Sequence, residues 1–368
     1  MKLIRTIIFF YIFYLFSCSD INQELVIAGK NKEEIKIALM NVPKNQLEGM
    51  EWLIKHMPEE DLKTVTSQFL LENCNVAYKA WRASSWGGGI PDSIFFEYVL
   101  PFASLNERRD NWRKDFHNRF INIVKNASSS YEAAAILNNK MFDMVGVKYS
   151  TKRPKADQSP YESMDAGLAS CTGLSFLLID ACRSIGVPAR FVGTPMWYNN
   201  SGNHSWVEVW DSGWHFTGAY EPTGENLDEG WFSSLAARAV EGHPKYGIYA
   251  ATWAASDISF PMNWLPEVDI YNAIDVTSRY TINMDNNLVP IQIRAIDSKG
   301  NRQEVEVEVT GDNNFSFEGF SKGEACDLND HLTLMLPKGE DFTIKTNKTI
   351  QKISVIKDEI IDLRTENC

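Results

Sequence analysis

A thiol at the start of a helix, and an imidazole facing a carboxylate across a hairpin, make a nucleophile and the base that serves it. This chain carries both patterns. In "LASCTGLSFLLIDACRSIGVPAR" the positions Leu174, Leu177, Leu178, Ala181, Cys182 and Ile185 follow helical spacing. Ser170 stands where a cap belongs, and Gly186 with Pro188 beyond it ends the run. Cys171 therefore falls in the first turn, where unpaired backbone N–H groups and the positive end of the helix dipole favour a thiolate. Cys182 is the internal comparison, about 20° around the helix and about 16 Å along it. It sits inside the apolar stripe, where a thiol is a small hydrophobe.

A thiolate nucleophile needs a base. In "NHSWVEVWDSGWHFTGAYEPTG" the alternation of "HSWVEVW" and "WHFTGAYE" predicts two strands, and the junction between them suits a two-residue loop centred on Ser212 and Gly213. That turn sets directly opposed positions whose numbers sum to about 425, so His204 faces Glu221. A carboxylate there holds the imidazole tautomer and stabilises its charge. His215 projects from the opposite face of the hairpin and is read as structural. No metal is expected: Cys171, Cys182, His204 and His215 cannot converge without breaking the helix.

The rest of the chain must position these groups. Its 368 residues, 44% hydrophobic, suffice for more than one domain. A net charge of −12 without a block of Lys or Arg excludes a nucleic-acid surface. At the N-terminus Lys2 and Arg5 precede an apolar run from Ile7 to Phe16, too short to span a bilayer, which reads as a secretory signal. Leu15-Phe16-Ser17-Cys18 resembles the lipobox of bacterial lipoproteins, with Cys18 as the lipidated residue. We therefore expect a signal peptide over 1–17, a mainly helical region over 18–150 and a mixed core over 151–275. Strands alternating with "SKGN", "GDNN" and "PKGED" turns predict a small β-sandwich over 276–368. Cys326 and Cys368 fall in that tail and could bridge its strands. "NERRDNWRKD" from Asn106 to Asp115 reads as a solvated, salt-bridged helix face.

"QSP" at Gln158, "ASCTGLSFLLIDACRSIGVPAR", "TPMW" ending at Trp197, "NHSWVEVW" and "GWHFTGAYEPTGENLDEGWF" together resemble the transglutaminase-like, papain-like superfamily of cysteine hydrolases. They are similar above all to a subgroup of bacterial envelope lipoproteins. The resemblance covers about residues 60–255. It implies an α+β fold with a papain-like core, in which Cys171 is the nucleophile, His204 the base and Glu221 the orienting acid. It also makes Gln158 or Trp197 a candidate oxyanion donor beside the Cys171 N–H. "ASCTGLS" departs from the Gly-Arg-Cys-Gly-Glu run of close relatives, so the substrate side of Cys171 differs from theirs.

The resulting expectation is an envelope-anchored, cysteine-dependent amide-bond hydrolase without a cofactor. It would be held at the bacterial cell envelope membrane through Cys18 and act on a peptide, glycopeptide or peptidoglycan-type substrate. The alternatives are a protein-glutamine transamidase, in which an amine resolves the same acyl-enzyme, and a glycan- or peptide-binding module that keeps the fold without turnover.

Overall fold

The computed structural model describes residues 21–281, 287–312 and 314–365. The expected signal peptide, Cys18 and Cys368 lie outside the described residues. No helix among the described residues is long and apolar enough to cross a membrane.

Helices Asn22–Ala28, Lys32–Asn41, Leu47–His56, Glu59–Thr64, Ser67–Ala83 and Asp92–Tyr98 form the N-terminal part. They bury Ile35, Met50, Leu53, Leu70 and Phe95 in a cluster of their own. A second cluster draws its residues from between Leu105 and Ala273. Helix Ser130–Val145, capped by the Ser129 side chain and stopped by left-handed Gly146, belongs to that second cluster. The expected junction at residue 150 therefore divides no core; the change of packing comes between Ala103 and Leu105.

The centre of the molecule is helix Cys171–Ser184. Ser170 caps it by accepting a hydrogen bond from the Gly173 N–H at 3.1 Å. Gly186, at φ 81°, turns the chain away where a Cβ would fall 2.9 Å from the Ala80 and Trp81 backbone. The apolar stripe understates its burial: every residue from Thr172 to Ser184 is buried, including Asp180 and Arg183. Such a helix is enclosed on all sides.

The helix lies against a six-stranded antiparallel sheet. Its spatial order is Trp214–Thr217, His204–Trp210, Ala189–Thr194, Tyr249–Ala251, Asn272–Asp275, Ile258–Ser259. Alternation gives the sheet two apolar faces. Phe191, Val207 and Val209 meet the helix, while Val192, Trp206 and Ala250 pack with Trp197 and Phe232 on the far side.

"NERRDNWRKD" is not a solvated face. Glu107, Asp110, Trp112 and Arg113 are buried, and only the segment from Arg113 onward is helical. Glu107 accepts hydrogen bonds from the Ser104 and Leu105 N–H groups, and Asp110 accepts one from Tyr161. Arg113 donates to Asn73, to the Leu100 and Pro101 carbonyls and to the Arg183 carbonyl. Arg183 in turn donates to the carbonyls of Tyr98, Pro101, Ala103 and Ala189. The charges of this stretch join the two helical parts through the backbone, because a buried guanidinium must spend its donors on acceptors.

Beyond residue 287 a three-stranded and a four-stranded sheet enclose one cluster containing Ile291, Ile293, Val307, Val309, Leu336, Ile344 and Leu363. With the mixed core, this makes the chain α+β.

Candidate active site

Cys171 opens the central helix and is partly exposed. His204 opens its strand and is 1% exposed. The hairpin that carries His204 has a three-residue loop, Asp211 to Gly213, instead of two. Ser212 there adopts φ 59°, and Asp211 N–H is bonded to Gly213 O at 2.8 Å. The register is shifted by one: Val209 faces His215 and Val207 faces Thr217. Continued strictly, that ladder would bring Tyr220 rather than Glu221 to His204. Instead the strand ends at Thr217, and a tight turn bridges Gly218 to Glu221 with Tyr220 at φ 67°. The turn returns Glu221 to the imidazole, with its Oε2 3.5 Å from His204 Nε2. Trp231 fixes that oxygen by donating its indole N–H at 2.9 Å.

The other imidazole nitrogen faces a residue from the connection between strands Ser316–Phe320 and Leu332–Pro337, and the thiol lies beside the same group. Asp327 Oδ2 lies 3.8 Å from His204 Nδ1. Donor atoms of Cys171, His204 and Asp327 all fall within 4.8 Å of one another. Asp327 is 3% exposed and is held by its neighbours. Its Oδ1 accepts from the Asn329 N–H at 2.9 Å, and Arg302 grips the carbonyls of Cys326, Asp327 and Asp330. Leu328 N–H bonds the Tyr149 hydroxyl, and the Asn329 amide bonds Asn203 O beside His204. Nothing in the sequence signalled Asp327. Its domain lies outside the quoted motifs, and a lone Asp in a turn-rich segment looks like turn chemistry.

Burial alone would hold the imidazole neutral. The Glu221 carboxylate, the Cys171 thiol and Asp327 outweigh it and hold the His204 pKa well above its ordinary value. A cationic ring and a helix N-terminus thus both attract the negative charge that a nucleophilic sulfur carries. Cys182 lies in the buried cluster, and burial pushes its thiol up to about 12.

The two oxyanion candidates separate. Gln158 spends its amide donor on the Glu162 and Leu168 carbonyls at 3.2 and 3.0 Å, so it braces the segment before Cys171 and presents no free N–H. The buried indole N–H of Trp197 has no protein acceptor, and its ring stands 6.4 Å from that of His204. His215 lies away from the site, with Nδ1 2.6 Å from Asp228.

The transglutaminase-like superfamily model matches residues 119–231, which contain Cys171, His204 and Glu221. A candidate cysteine protease of Cytophaga hutchinsonii is similar in structure at 18% identity over 33% of this chain, with a TM-score of 0.28. The match takes in 42% of that protein, so its activity as a whole is not carried over. The C-terminal fragment of the pilus adhesin SpaC from Lactobacillus rhamnosus GG is similar at 11% identity over 46% of this chain and 74% of its own, with a TM-score of 0.17. No curated protein matches the sequence. The helix-borne cysteine and the hairpin-borne histidine thus lie in the segment, residues 119–231, that matches the transglutaminase-like superfamily.

Proposed function

We propose that the chain is a cysteine-dependent amide-bond hydrolase working through Cys171, His204 and Glu221. The observation that supports it most directly is a partly exposed thiol at a helix start beside a buried imidazole, whose far nitrogen faces a carboxylate at 3.5 Å. The sulfur forms a C–S bond with the amide carbon while the carbonyl π pair moves onto oxygen. That oxyanion is met by the Cys171 backbone N–H, a donor at the helix start aimed at charge that develops in the transition state. When the intermediate collapses, the C–N bond breaks and His204 passes its Nδ1 proton to the leaving amine. Water, deprotonated by the now neutral imidazole, forms a C–O bond at the thioester carbon, and the C–S bond then breaks, releasing a carboxylic acid and returning a thiolate beside the protonated His204. Glu221 holds the ring in place from its far nitrogen.

Peptides and glycopeptides of the bacterial cell envelope are the proposed substrates, with the lipobox-like Leu15 to Cys18 stretch supporting a lipid anchor at Cys18. The test incubates wild type and Cys171→Ser with envelope-derived peptides and glycopeptides, in the presence and absence of a labelled amine. A new amine terminus made only by wild type is expected. Incorporation of the labelled amine instead would establish the transamidase, and equal binding by both proteins without turnover would establish a binding module.

A further inference from the structure

We propose that Cys171, His204 and Asp327 form a binding site for one zinc-class divalent ion, in which the C-terminal domain closes over the nucleophile of the resting protein. Thiolate sulfur, imidazole nitrogen and carboxylate oxygen are the donor types that hold zinc. Here one of each lies within 4.8 Å of the others. Tetrahedral coordination at ordinary zinc distances separates donors by about 3.3–3.7 Å. The Asp327 and His204 donor atoms, at 3.8 Å, already approach that spacing.

A second observation points to a ligand. His204 Nδ1 and Asp327 Oδ2 are buried and have no hydrogen-bond partner. Two inward-facing polar atoms left this way each cost about 1–3 kcal/mol unless something satisfies both. Their other atoms are supported as metal ligands usually are. Glu221 faces Nε2 of the same ring, and the Asn329 N–H fixes the second oxygen of Asp327. Binding forms one S–Zn, one N–Zn and one O–Zn bond. The thiol proton and any proton on Nδ1 leave to solvent, and the fourth position is open to water. The coordinated sulfur has given its lone pair to the ion and cannot attack a carbonyl, so the loaded form is the resting form.

This site is read by metal binding and does not depend on the hydrolase reading. The full chain, reduced and stripped with a chelator, is titrated with Zn²⁺ against a chromophoric chelator and separately with Co²⁺. One equivalent per chain is expected, with a thiolate-to-cobalt charge-transfer band and protection of Cys171 from alkylation. Asp327→Ala should bind at least about 10- to 100-fold more weakly, the loss that removing even an outer partner of a ligand brings, and Cys171→Ser should lose the band. Asp327→Asn serves if the Ala variant does not fold, and Cys182→Ala should bind as wild type does. Absence of the band, or equal zinc affinity in wild type and the Asp327 variants, overturns the site. Alkylation of the metal-free thiol is scored separately, so such a failure leaves the hydrolase standing or falling by its own test.

Discussion

Glu221 Oε2 and His204 Nε2 stand 3.5 Å apart at the end of a hairpin whose ladder has already stopped at Thr217. A turn, and not strand pairing, delivers the carboxylate. Replacing the charge while keeping the shape tests what it does. Glu221→Gln should lower kcat/KM by about 10²- to 10⁴-fold with an unchanged melting temperature. Trp231→Phe, which removes one hydrogen bond to that oxygen, should cost about tenfold or less. A Glu221→Gln enzyme with wild-type turnover would remove Glu221 from the mechanism.

The thiols form a graded series. Cys74 and Cys182 are buried, and burial pushes both up to about 12. Cys326 is partly exposed, and burial raises its pKa too. Alkylation of the chelated, reduced protein at neutral pH should therefore show one fast equivalent that disappears in Cys171→Ala. Cys182 should react only on unfolding. Comparable rates at Cys171 and Cys182 in the folded protein would sink the activated-thiol account.

Gly202 lies close against Asn329, which comes from the segment that carries Asp327. Its φ is 143°, and a Cβ there would fall 2.0 Å from Asn329 Oδ1. Gly202→Ala should push Asn329 off the Asn203 carbonyl and loosen the segment that carries Asp327. We expect a stability loss of about 1–3 kcal/mol and alkylation of Cys171 several-fold faster than in wild type. A lower melting temperature with an unchanged alkylation rate would show that this segment does not govern access to the sulfur.

Asp330 and His331 are neighbours whose pKa values are pushed in opposite directions. Burial pushes Asp330 up to about 7, and burial with the charges of Arg294 and Arg302 pushes His331 down to about 4. Folded Asp330 keeps a proton that the unfolded chain sheds above about pH 4. Its contribution is present at low pH and lost as pH rises through 7. Folded His331 refuses a proton that the unfolded chain takes up below about pH 6.5, so its contribution is present above that and lost toward pH 4. Asp330→Asn should thus make melting more acid-sensitive than in wild type between pH 7 and 4, and His331→Gln less so. Each difference should be up to about 3 kcal/mol. Melting curves shifting the same way with pH in both variants would refute the opposed pair.

Arg113 is buried, and burial together with the charge of Arg183 lowers its pKa to about 9. Its donors reach Asn73 and the carbonyls of Leu100, Pro101 and Arg183. Arg113→Met leaves those acceptors dry and unpaired and should cost about 3–5 kcal/mol in thermal or denaturant unfolding. Arg113→Lys should not restore it, because a point charge cannot span the positions that a planar fork reaches. Wild-type stability in Arg113→Met would refute the bracing role.

The central helix was legible because its signals are local: a cap at Ser170, a stop at Gly186 and an apolar period between them. The meeting of His204 with Glu221 was legible for a less secure reason. The predicted two-residue turn was one residue short, and the Gly218 to Glu221 turn offset the shift. Alternation reports which face a side chain takes, and it does not report where a ladder ends. Asn106 to Asp115 misled because charge in a sequence carries no sign of burial, and the backbone N–H groups that Glu107 and Asp110 accept from, like the carbonyls that Arg113 donates to, leave no mark in it. Asp327 was illegible for the same reason: only the docking of one domain on another brings it to the thiol.

Arg183 has a consequence for how the matched segment behaves when cut out. Its guanidinium is satisfied by Tyr98, Pro101 and Ala103, which precede residue 119, with Ala189 alone inside the matched region. Trp86 likewise closes the end of the central helix by donating to Gly186 O. The stretch that matches the superfamily model therefore does not close its own core. A fragment limited to residues 119–231 would carry its thiol, imidazole and carboxylate on a helix whose buried cation had lost most of its acceptors.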